Sequence, residues 1–437
     1  MSGATAQATP LGVYVHFPWC LKKCPYCDFL SVAEPEADRI PHEAYADQVL
    51  RELERRLTVG LEPGAQGEAL ELRSVFFGGG TPSLWDSAAL GRVLRGILER
   101  LPWRELPEIT VECNPTSLDL ERANRLADVG VNRLSLGVQG LEDARLEFLG
   151  RLHDGALGLQ AVADAVASRV PRVSADLIFG VHRQSPEAAR AEVLRLAELG
   201  IEHLSAYALT IEPGTQFGAL ARKGRLPLLA EESVADSFLA VEQALSERGF
   251  AHYEISNYAR PGARSQHNLG YWRGAQYLGL GVGAWGTVRV SEHAGTRGTV
   301  SLADGTPGGT ARLVRYRNTP SPERYLRADF SQLDPLMSLG GACASRQPSS
   351  ELMSELEELS PETQVSERLM LGLRLAEGVD LEQVEAETGA SVLTAERRRA
   401  VERQLERGGL EWLEGGRRLR IPRAAWLQAD AVIADVM

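Results

Sequence analysis

Residues 11–210 alternate short apolar runs with longer amphipathic segments, and this alternation constrains the fold more than any other feature of the chain. Parallel strands need long connections, so strand–helix alternation favours a parallel sheet with right-handed crossovers. Six such units are too few for a closed eight-stranded barrel. The predicted strands are 13–16, 74–77, 109–112, 133–136, 173–178 and 204–208, and the predicted helices are 43–58, 87–101, 119–128, 142–150, 155–168 and 186–199.

Residues suited to chemistry follow five of these strands. A cysteine-containing loop follows the first strand, and the run 78–83 (Gly-Gly-Gly-Thr-Pro-Ser) follows the second. Glu112 closes the third strand, Gln139 follows the fourth, and Asp176 lies near the end of the fifth. In α/β architectures of this class, functional residues gather at the carboxyl ends of the strands. We therefore expect one site at that edge.

The loop after the first strand contains Cys20, Cys24 and Cys27 in the spacing C-x3-C-x2-C. Thiolates are soft ligands that select zinc or iron–sulfur clusters. Structural sites normally take four protein ligands, so three cysteines leave one coordination position open for chemistry. A zinc site completed by His16 is an alternative, and buried cysteines that bind nothing are another.

Composition restricts the remaining possibilities. The chain of 437 residues has 44% hydrophobic and 24% charged residues, which is typical of a soluble protein of two or three domains. Its formal charge of −12 argues against general nucleic-acid binding, which requires a basic face. Five cysteines do not suit a disulfide framework and favour a reducing cytoplasm. Residues 1–10 are expected to be a disordered leader, and no apolar run is long enough for a transmembrane segment.

The sequence also predicts the organisation that follows the first 220 residues. Residues 221–332 are expected to extend the core and include a Gly/Thr-rich surface loop at 294–311, and 333–362 are expected to be a linker. Helical periodicity returns at 363–437, where two glycines separate two short apolar runs and predict a β wing. Arg397, Arg398 and Arg399 lie among glutamates, so a packing or partner module with solvated arginines is favoured over DNA binding.

Six segments carry a family resemblance, namely 14–20, 77–83, 131–139, 149–153, 176–180 and 209–215. They resemble the radical-SAM superfamily and, within it, the oxygen-independent coproporphyrinogen oxidase family and its relatives. The resemblance implies a partial (β/α)6 barrel with a small C-terminal helical and winged domain. It also implies a [4Fe–4S] cluster on the three cysteines, with S-adenosylmethionine on the open iron.

Two features distinguish the branches of that family. The oxidase has a further cysteine where this chain has Phe29, and the ending Cys27-Asp28-Phe29 resembles HemW-type heme chaperones. Residues 267–272 match the H-N-x-x-Y-W motif of the heme-binding branch. Imidazole is a competent axial ligand for heme iron. Spacing alone favours a different interpretation, in which His267 caps a turn and the aromatic residues belong to the core; the resemblance reverses that preference and favours heme.

The resemblance assigns cofactor roles residue by residue. Glu112 is of the type that accepts ribose hydroxyls, although a solvated strand-end acid is the alternative. The resemblance implies that Tyr14 and Tyr26 lie next to the cluster. It implies that heme is contacted by His267, Tyr271 and Trp272. The residues implied to bind S-adenosylmethionine are Gly79, Gly80, Thr81, Glu112, Gln139, Arg151, Asp176 and Ala208.

The favoured function is a cytoplasmic heme chaperone that binds heme, the cluster and S-adenosylmethionine. It would transfer heme to an acceptor such as a membrane respiratory enzyme, with flavodoxin or ferredoxin as electron donor. The alternative is a radical-SAM coproporphyrinogen III oxidase, and a third reading is a radical-SAM enzyme acting on an unrelated substrate. Trp285 stands where many relatives have a histidine, so any heme role of that histidine is absent here.

Overall fold

The computed structural model describes residues 8–58, 61–63, 69–291, 311–330 and 353–437. The predicted Gly/Thr-rich loop and most of the predicted leader and linker lie outside these described residues.

The described elements are as follows. The strands are β1 (Thr9–Phe17), β2 (Trp19–Cys20), β3 (Val32–Ala33), β4 (Leu70–Gly79), β5 (Glu108–Cys113), β6 (Arg133–Gln139), β7 (Arg172–Phe179), β8 (His203–Ala208), β9 (Ala251–Glu254), β10 (Asn257–Ala259), β11 (Gln276–Gly281), β12 (Trp285–Ser291), β13 (Ala311–Asn318), β14 (Met353–Glu358), β15 (Val379–Asp380), β16 (Glu411–Leu413) and β17 (Arg418–Arg420). The α-helices are α1 (His42–Leu57), α2 (Ser87–Arg100), α3 (Leu120–Asp128), α4 (Asp143–Phe148), α5 (Gly155–Ala167), α6 (Pro186–Glu198), α7 (Gln216–Arg222), α8 (Glu231–Glu247), α9 (Gln266–Trp272), α10 (Pro322–Arg327), α11 (Pro361–Gly372), α12 (Leu381–Thr388), α13 (Ala395–Glu406) and α14 (Ala429–Val436).

Six parallel strands in the spatial order β1-β4-β5-β6-β7-β8 form the centre of the sheet. Helices α1 to α6 lie in the crossovers between them, which confirms the predicted partial (β/α)6 barrel. The sheet continues beyond both edges to twelve strands, in the order β14-β13-β12-β11-β1 on one side and β8-β10-β9 on the other. The prediction of six strands missed this extension.

Local sequence explains where the helices begin and end. The Asp86 carboxylate accepts hydrogen bonds from the backbone N–H groups of Ala88 and Ala89, which otherwise lack partners in the first turn of α2. Asp154 and Ser185 cap α5 and α6 in the same way. Gly130 follows α3, and its φ of 103° is one that L side chains rarely adopt, so glycine suits the end of this helix.

The cysteine loop is held by backbone hydrogen bonds to the glycine run after β4. Gly80 N donates to Phe17 O at 2.7 Å, and Thr81 N donates to Trp19 O at 2.8 Å. A Cβ atom on Gly80 would lie 2.6 Å from Trp19 O, so only glycine permits this approach. The pairing of β2 with β3 closes the other end of the loop. The glycine run therefore fixes the position of the cysteines.

Two predicted boundaries differ from the structure. β1 begins at Thr9, inside the predicted leader 1–10, because Thr9 N donates to Ala69 O at 2.9 Å and extends the pairing with β4. Residues 353–358, inside the predicted linker 333–362, form β14 and pair with β13. Alternating charges obscured that strand, since its glutamates pair across the ladder with arginines of β13.

The C-terminal residues form a separate apolar cluster with a three-stranded sheet ordered β15-β17-β16. The predicted wing is present, and a third strand and helix α14 accompany it. Arg397 was predicted to be solvated, but in the structure it is half-buried. Its guanidinium donates to Val392 O at 2.7 Å and to Val436 O at 3.1 Å, and so holds the C-terminal helix.

A buried polar network ties α1 to the strands on the β11 side of the barrel. The Glu52 carboxylate accepts hydrogen bonds from Gly281 N at 2.8 Å, Tyr325 OH at 2.7 Å and Asn318 Nδ2 at 2.7 Å. The Arg56 guanidinium lies 3.3 Å from the same carboxylate and 4.1 Å from the centre of the Tyr316 ring. Burial raises the pKa of Glu52, and the charge of Arg56 offsets part of that shift.

We expect Arg56→Met to lower the free energy of unfolding by about 3–5 kcal/mol, because removing one partner of a buried pair leaves the other uncompensated. Arg39→Met, at an exposed pair with Glu36, is the control and should change it by less than about 0.5 kcal/mol. Urea denaturation followed by circular dichroism measures both. Equal midpoints for the two variants would show that the network does not stabilise the barrel.

Candidate cofactor site in the barrel

The barrel encloses a cavity of about 220 Å³ that opens near the end of the cysteine loop. Its walls come from all six central strands and from α9, and most of the lining residues are polar. The lining residues are Tyr14, Phe29, Phe76, Gly79, Glu112, Arg133, Ser135, Asp176, Ser205, Tyr207, His267, Asn268 and Tyr271. Six residues predicted from the sequence are among them: Tyr14, Gly79, Glu112, Asp176, His267 and Tyr271.

Two buried carboxyl groups face this cavity. Glu112 Oε2 accepts a hydrogen bond from Gly79 N at 3.0 Å, which ties the end of β5 to the glycine run. Asp176 lies 3.3 Å from Ser135 Oγ. Burial, and then the charge of Asp176, raises the pKa of Glu112 to about 7. Burial also raises the pKa of Asp176. Glu112 therefore changes charge near neutral pH and is not a solvated strand-end acid.

His267 lies at the base of the cavity, where both of its ring nitrogens have partners within the chain. Nδ1 lies 2.8 Å from Ser74 Oγ, and Nε2 lies 2.9 Å from Tyr271 OH. The ring stacks on Phe76 with centroids 4.8 Å apart and is 3% exposed. Burial lowers the pKa of His267 to about 3, so the imidazole is neutral. Glu108 accepts the N–H of His267 at 3.1 Å and fixes the start of α9.

A second, smaller cleft adjoins the cysteine loop. It brings Cys24 together with the predicted residues Thr81 and Arg151. Arg151 Nη1 lies 3.7 Å from Cys24 Sγ, and Nη2 donates to Gly137 O at 2.6 Å. Thr81 Oγ1 lies 3.5 Å from Cys20 Sγ. The Arg151 guanidinium therefore places positive charge beside a candidate metal-binding thiol.

The donor set suits a cluster better than a single zinc ion. Among the described residues, no three His, Cys, Asp or Glu side chains converge on a point that one ion could occupy. Both nitrogens of His16 are also engaged, at 2.9 Å from Tyr14 OH and 2.9 Å from Leu30 O. Arg151 Nε is buried without a hydrogen-bond partner, which leaves a donor directed at a bound group. Three half-buried thiols beside a cation fit an anionic iron–sulfur centre.

Several predicted residues line neither opening. Tyr26 packs on Phe217, with ring centroids 6.4 Å apart, and anchors the cysteine loop. Gln139 folds over Gly137. Ala208 is exposed at the end of β8. Trp272 packs with Leu375 at the junction with the C-terminal domain. Gly80 and Cys27 lie in the clamped loop region but also line neither opening.

Sequence reasoning missed the polar residues of the barrel wall. Arg133 and Ser135 on β6, and Ser205 and Tyr207 on β8, all face the cavity. On each strand these residues alternate with apolar ones, which is the period of two expected when one face is polar. That alternation is the signal that could have found them. The strands were treated as short apolar runs, and their polar positions were not considered.

Comparison with known proteins agrees with the fold and the site. The family model "Radical SAM superfamily" matches residues 14–197, and the "HemN C-terminal domain" model matches 359–427. The solved coproporphyrinogen III oxidase (HemN) of Escherichia coli, a radical SAM enzyme, aligns with a TM-score of 0.69 and 19% identity over 98% of this chain and 90% of that one. At that identity the likeness shows the fold alone, which is the radical-SAM fold.

Sequence relatives identify the branch. The heme chaperone HemW of Escherichia coli (strain K12) is 40% identical over 322 residues, 74% of this chain and 77% of that protein. The heme chaperone HemW of Lactococcus lactis is 32% identical over 376 residues, 86% of this chain and 84% of that protein. The chain belongs to the HemW heme chaperone family. No helix in the described part of the chain has the length and apolar character needed to cross a membrane.

The pKa of Glu112 predicts a pH dependence. If its carboxylate accepts the ribose hydroxyls of S-adenosylmethionine, protonation removes that acceptor. Affinity should then fall up to about tenfold from pH 8 to pH 6, since one pKa unit corresponds to a factor of ten. Glu112→Gln should bind more weakly at pH 8 and lose most of this slope. Anaerobic calorimetric titration measures both proteins, and identical slopes would show that another group titrates.

Proposed function

We propose that this protein is a heme chaperone that binds heme, a [4Fe–4S] cluster and S-adenosylmethionine and passes heme to an acceptor protein. The observation that carries the proposal is the cysteine loop clamped beside Arg151 at the mouth of a polar cavity, in a chain of the HemW family. A membrane respiratory enzyme is the kind of acceptor we infer. The cytoplasmic location remains a prediction from the sequence.

Cys20, Cys24 and Cys27 are the residues that would hold the cluster. When bound, the cluster supplies a one-electron centre with one iron open to S-adenosylmethionine. The Thr81 hydroxyl lies beside Cys20, and Arg151 places positive charge beside Cys24. Gly79 ties this region to Glu112 through its backbone N–H. Burial raises the pKa of the Cys20 and Cys27 thiols, so assembly of the cluster releases protons.

Glu112 and Asp176 would bind the nucleoside part of the cofactor. Both lie in the cavity, and their carboxyl groups are desolvated there. Hydrogen bonds from a ligand would replace the water that the barrel excludes. Tyr14, Gln139 and Tyr26 support this region from neighbouring positions, and Ala208 is the weakest member of the set because its exposed side chain offers only apolar contact.

Heme binding through His267 requires α9 to move. The cavity of about 220 Å³ is smaller than the roughly 300–1,000 Å³ of ordinary ligand pockets, so it does not hold a porphyrin as it stands. For iron to reach Nε2, the hydrogen bond to Tyr271 must break. We propose His267 as the axial ligand in that opened state, with Tyr271 and Trp272 as aromatic neighbours.

Anaerobic incubation with either heme or coproporphyrinogen III tests the function. We expect a Soret band with heme, and no protoporphyrinogen IX even with reductant and S-adenosylmethionine, because Phe29 replaces the cysteine of the oxidase. The reduced protein should give an EPR signal that changes when S-adenosylmethionine is added. Sustained turnover of coproporphyrinogen III would restore the oxidase reading.

The role of His267 can be separated from its packing by a second substitution. His267→Ala should weaken heme binding and alter the Soret band, because alanine offers no donor to iron. Tyr271→Phe should tighten heme binding about fivefold, because it removes a competing hydrogen bond worth about 1 kcal/mol. His153→Ala, at a buried histidine bonded to Val138 O, is the matched control. If Tyr271→Phe leaves heme affinity unchanged and His267→Ala only lowers stability, His267 closes the barrel and does not ligate heme.

A further inference from the structure

Lysine is almost absent from this chain, and its few copies lie together. Of the 47 basic residues, three are lysines and the other 44 are arginines. Lys22 and Lys23 lie between the first two cysteines of the loop, and Lys223 directly follows α7. All three side chains are exposed.

Helix α7 packs against the cysteine loop, which brings Lys223 to the same face. Phe217 N donates to Pro25 O at 2.9 Å, and the Phe217 ring contacts Tyr26. Lys223 lies six residues beyond Phe217, or about 9 Å along the helix axis. Lys22 and Lys23 thus belong to the cysteine loop itself, and Lys223 ends the helix whose first turn is bonded to that loop.

The charge of this face is opposite to that of the whole chain. Segments 20–30 and 213–225 contain five basic residues, which are the three lysines with Arg222 and Arg225, and one acidic residue, Asp28. The chain as a whole carries a formal charge of −12. These two segments are therefore net basic within an acidic chain, even when Glu212, which directly precedes the second segment, is counted. An acidic protein is attracted to such segments more than to the chain as a whole.

Exposed apolar side chains lie among these charges. Phe29 is 65% exposed and Leu152 is 55% exposed. Leu152 lines the same cleft as Lys22 and Cys24. Protein-binding surfaces typically have an apolar centre and a polar rim, and apolar groups surrounded by charge match that composition.

The choice of lysine over arginine fits a transient contact. Arginine makes planar, bidentate pairs, and the structure uses it widely in internal ion pairs. Lysine is a hydrated point charge on a flexible stem. Such charges accelerate encounter and add little to the lifetime of a complex, which suits the small interfaces of redox partners.

We propose that Lys22, Lys23 and Lys223 form the docking surface for an acidic protein that delivers single electrons to the cluster. This inference rests on the proposed cluster site. The step transfers one electron: the carrier is oxidised, the cluster is reduced, and no bond forms or breaks. Binding of the carrier to this surface does not require the cluster.

Binding of a reduced, acidic bacterial flavodoxin tests the surface. Substituting all three lysines by glutamine should weaken binding about tenfold at low ionic strength and lower the rate of cluster reduction similarly, because steering depends on charge. Reduction by dithionite should be unchanged. The matched control is Arg398→Gln, Arg399→Gln and Arg407→Gln, which removes three exposed charges from the C-terminal domain and should change neither quantity.

The scarcity of lysine allows a direct map of the contact. A carbodiimide joins a lysine amine to a partner carboxylate as an amide, with loss of water. Cross-linked peptides should contain Lys22, Lys23 or Lys223. The triple lysine-to-arginine variant should still bind flavodoxin but lose these cross-links.

The outcomes separate the docking surface from the cluster. Cys24→Ala should lose the cluster and still bind flavodoxin; failure of the wild-type protein to form a cluster would overturn the proposed function and leave the docking result standing. Unchanged flavodoxin binding by the glutamine variant, or an equal loss in the arginine control, would overturn the docking surface. So would lysine-dependent binding to vesicles of anionic phospholipid in the absence of flavodoxin binding.

Discussion

The close backbone contact between the cysteine loop and the glycine run is the constraint on which the rest of the site depends. Gly80 and Thr81 donate to Phe17 and Trp19, and the approach leaves no room for a Cβ atom at Gly80. A side chain there would push apart β1 and β4, which are paired along their whole length. The position of the cysteines is thus set by main-chain hydrogen bonds, with the packing of Tyr26 on Phe217 as a second anchor.

The same glycine run also positions an acidic group of the cavity. It provides Gly79 N to the Glu112 carboxylate, so the cysteine loop, β4 and β5 are linked by hydrogen bonds. Desolvation inside the barrel then shifts the acids and His267 toward their neutral forms. Helix α9 connects this interior with the C-terminal domain, since Tyr271 faces the cavity and Trp272 packs beside Leu375.

Charged residues are arranged differently on the barrel exterior and around the cysteine loop. The barrel exterior and the C-terminal domain are rich in paired arginines and glutamates, and surface pairs of this kind contribute little to stability. The cysteine face has basic residues with fewer acidic neighbours. The proposed docking surface would direct acidic partners to the face that carries the cysteines.

Periodicity and short motifs by themselves determined the strand–helix order of residues 11–210, the cysteine loop and the acids at the strand ends, because these depend on contacts close in sequence. Tertiary structure decided the rest. The extension of the sheet by β9 to β14 follows from pairing between segments far apart in the chain, which periodicity does not encode. The place of His267 is the clearest case: the family resemblance suggested His267, Tyr271 and Trp272 as three residues around one heme. The fold separates them, with His267 and Tyr271 bonded at the base of the cavity and Trp272 on the opposite side of α9, because a helix turns successive side chains by about 100° and directs neighbours to different surroundings.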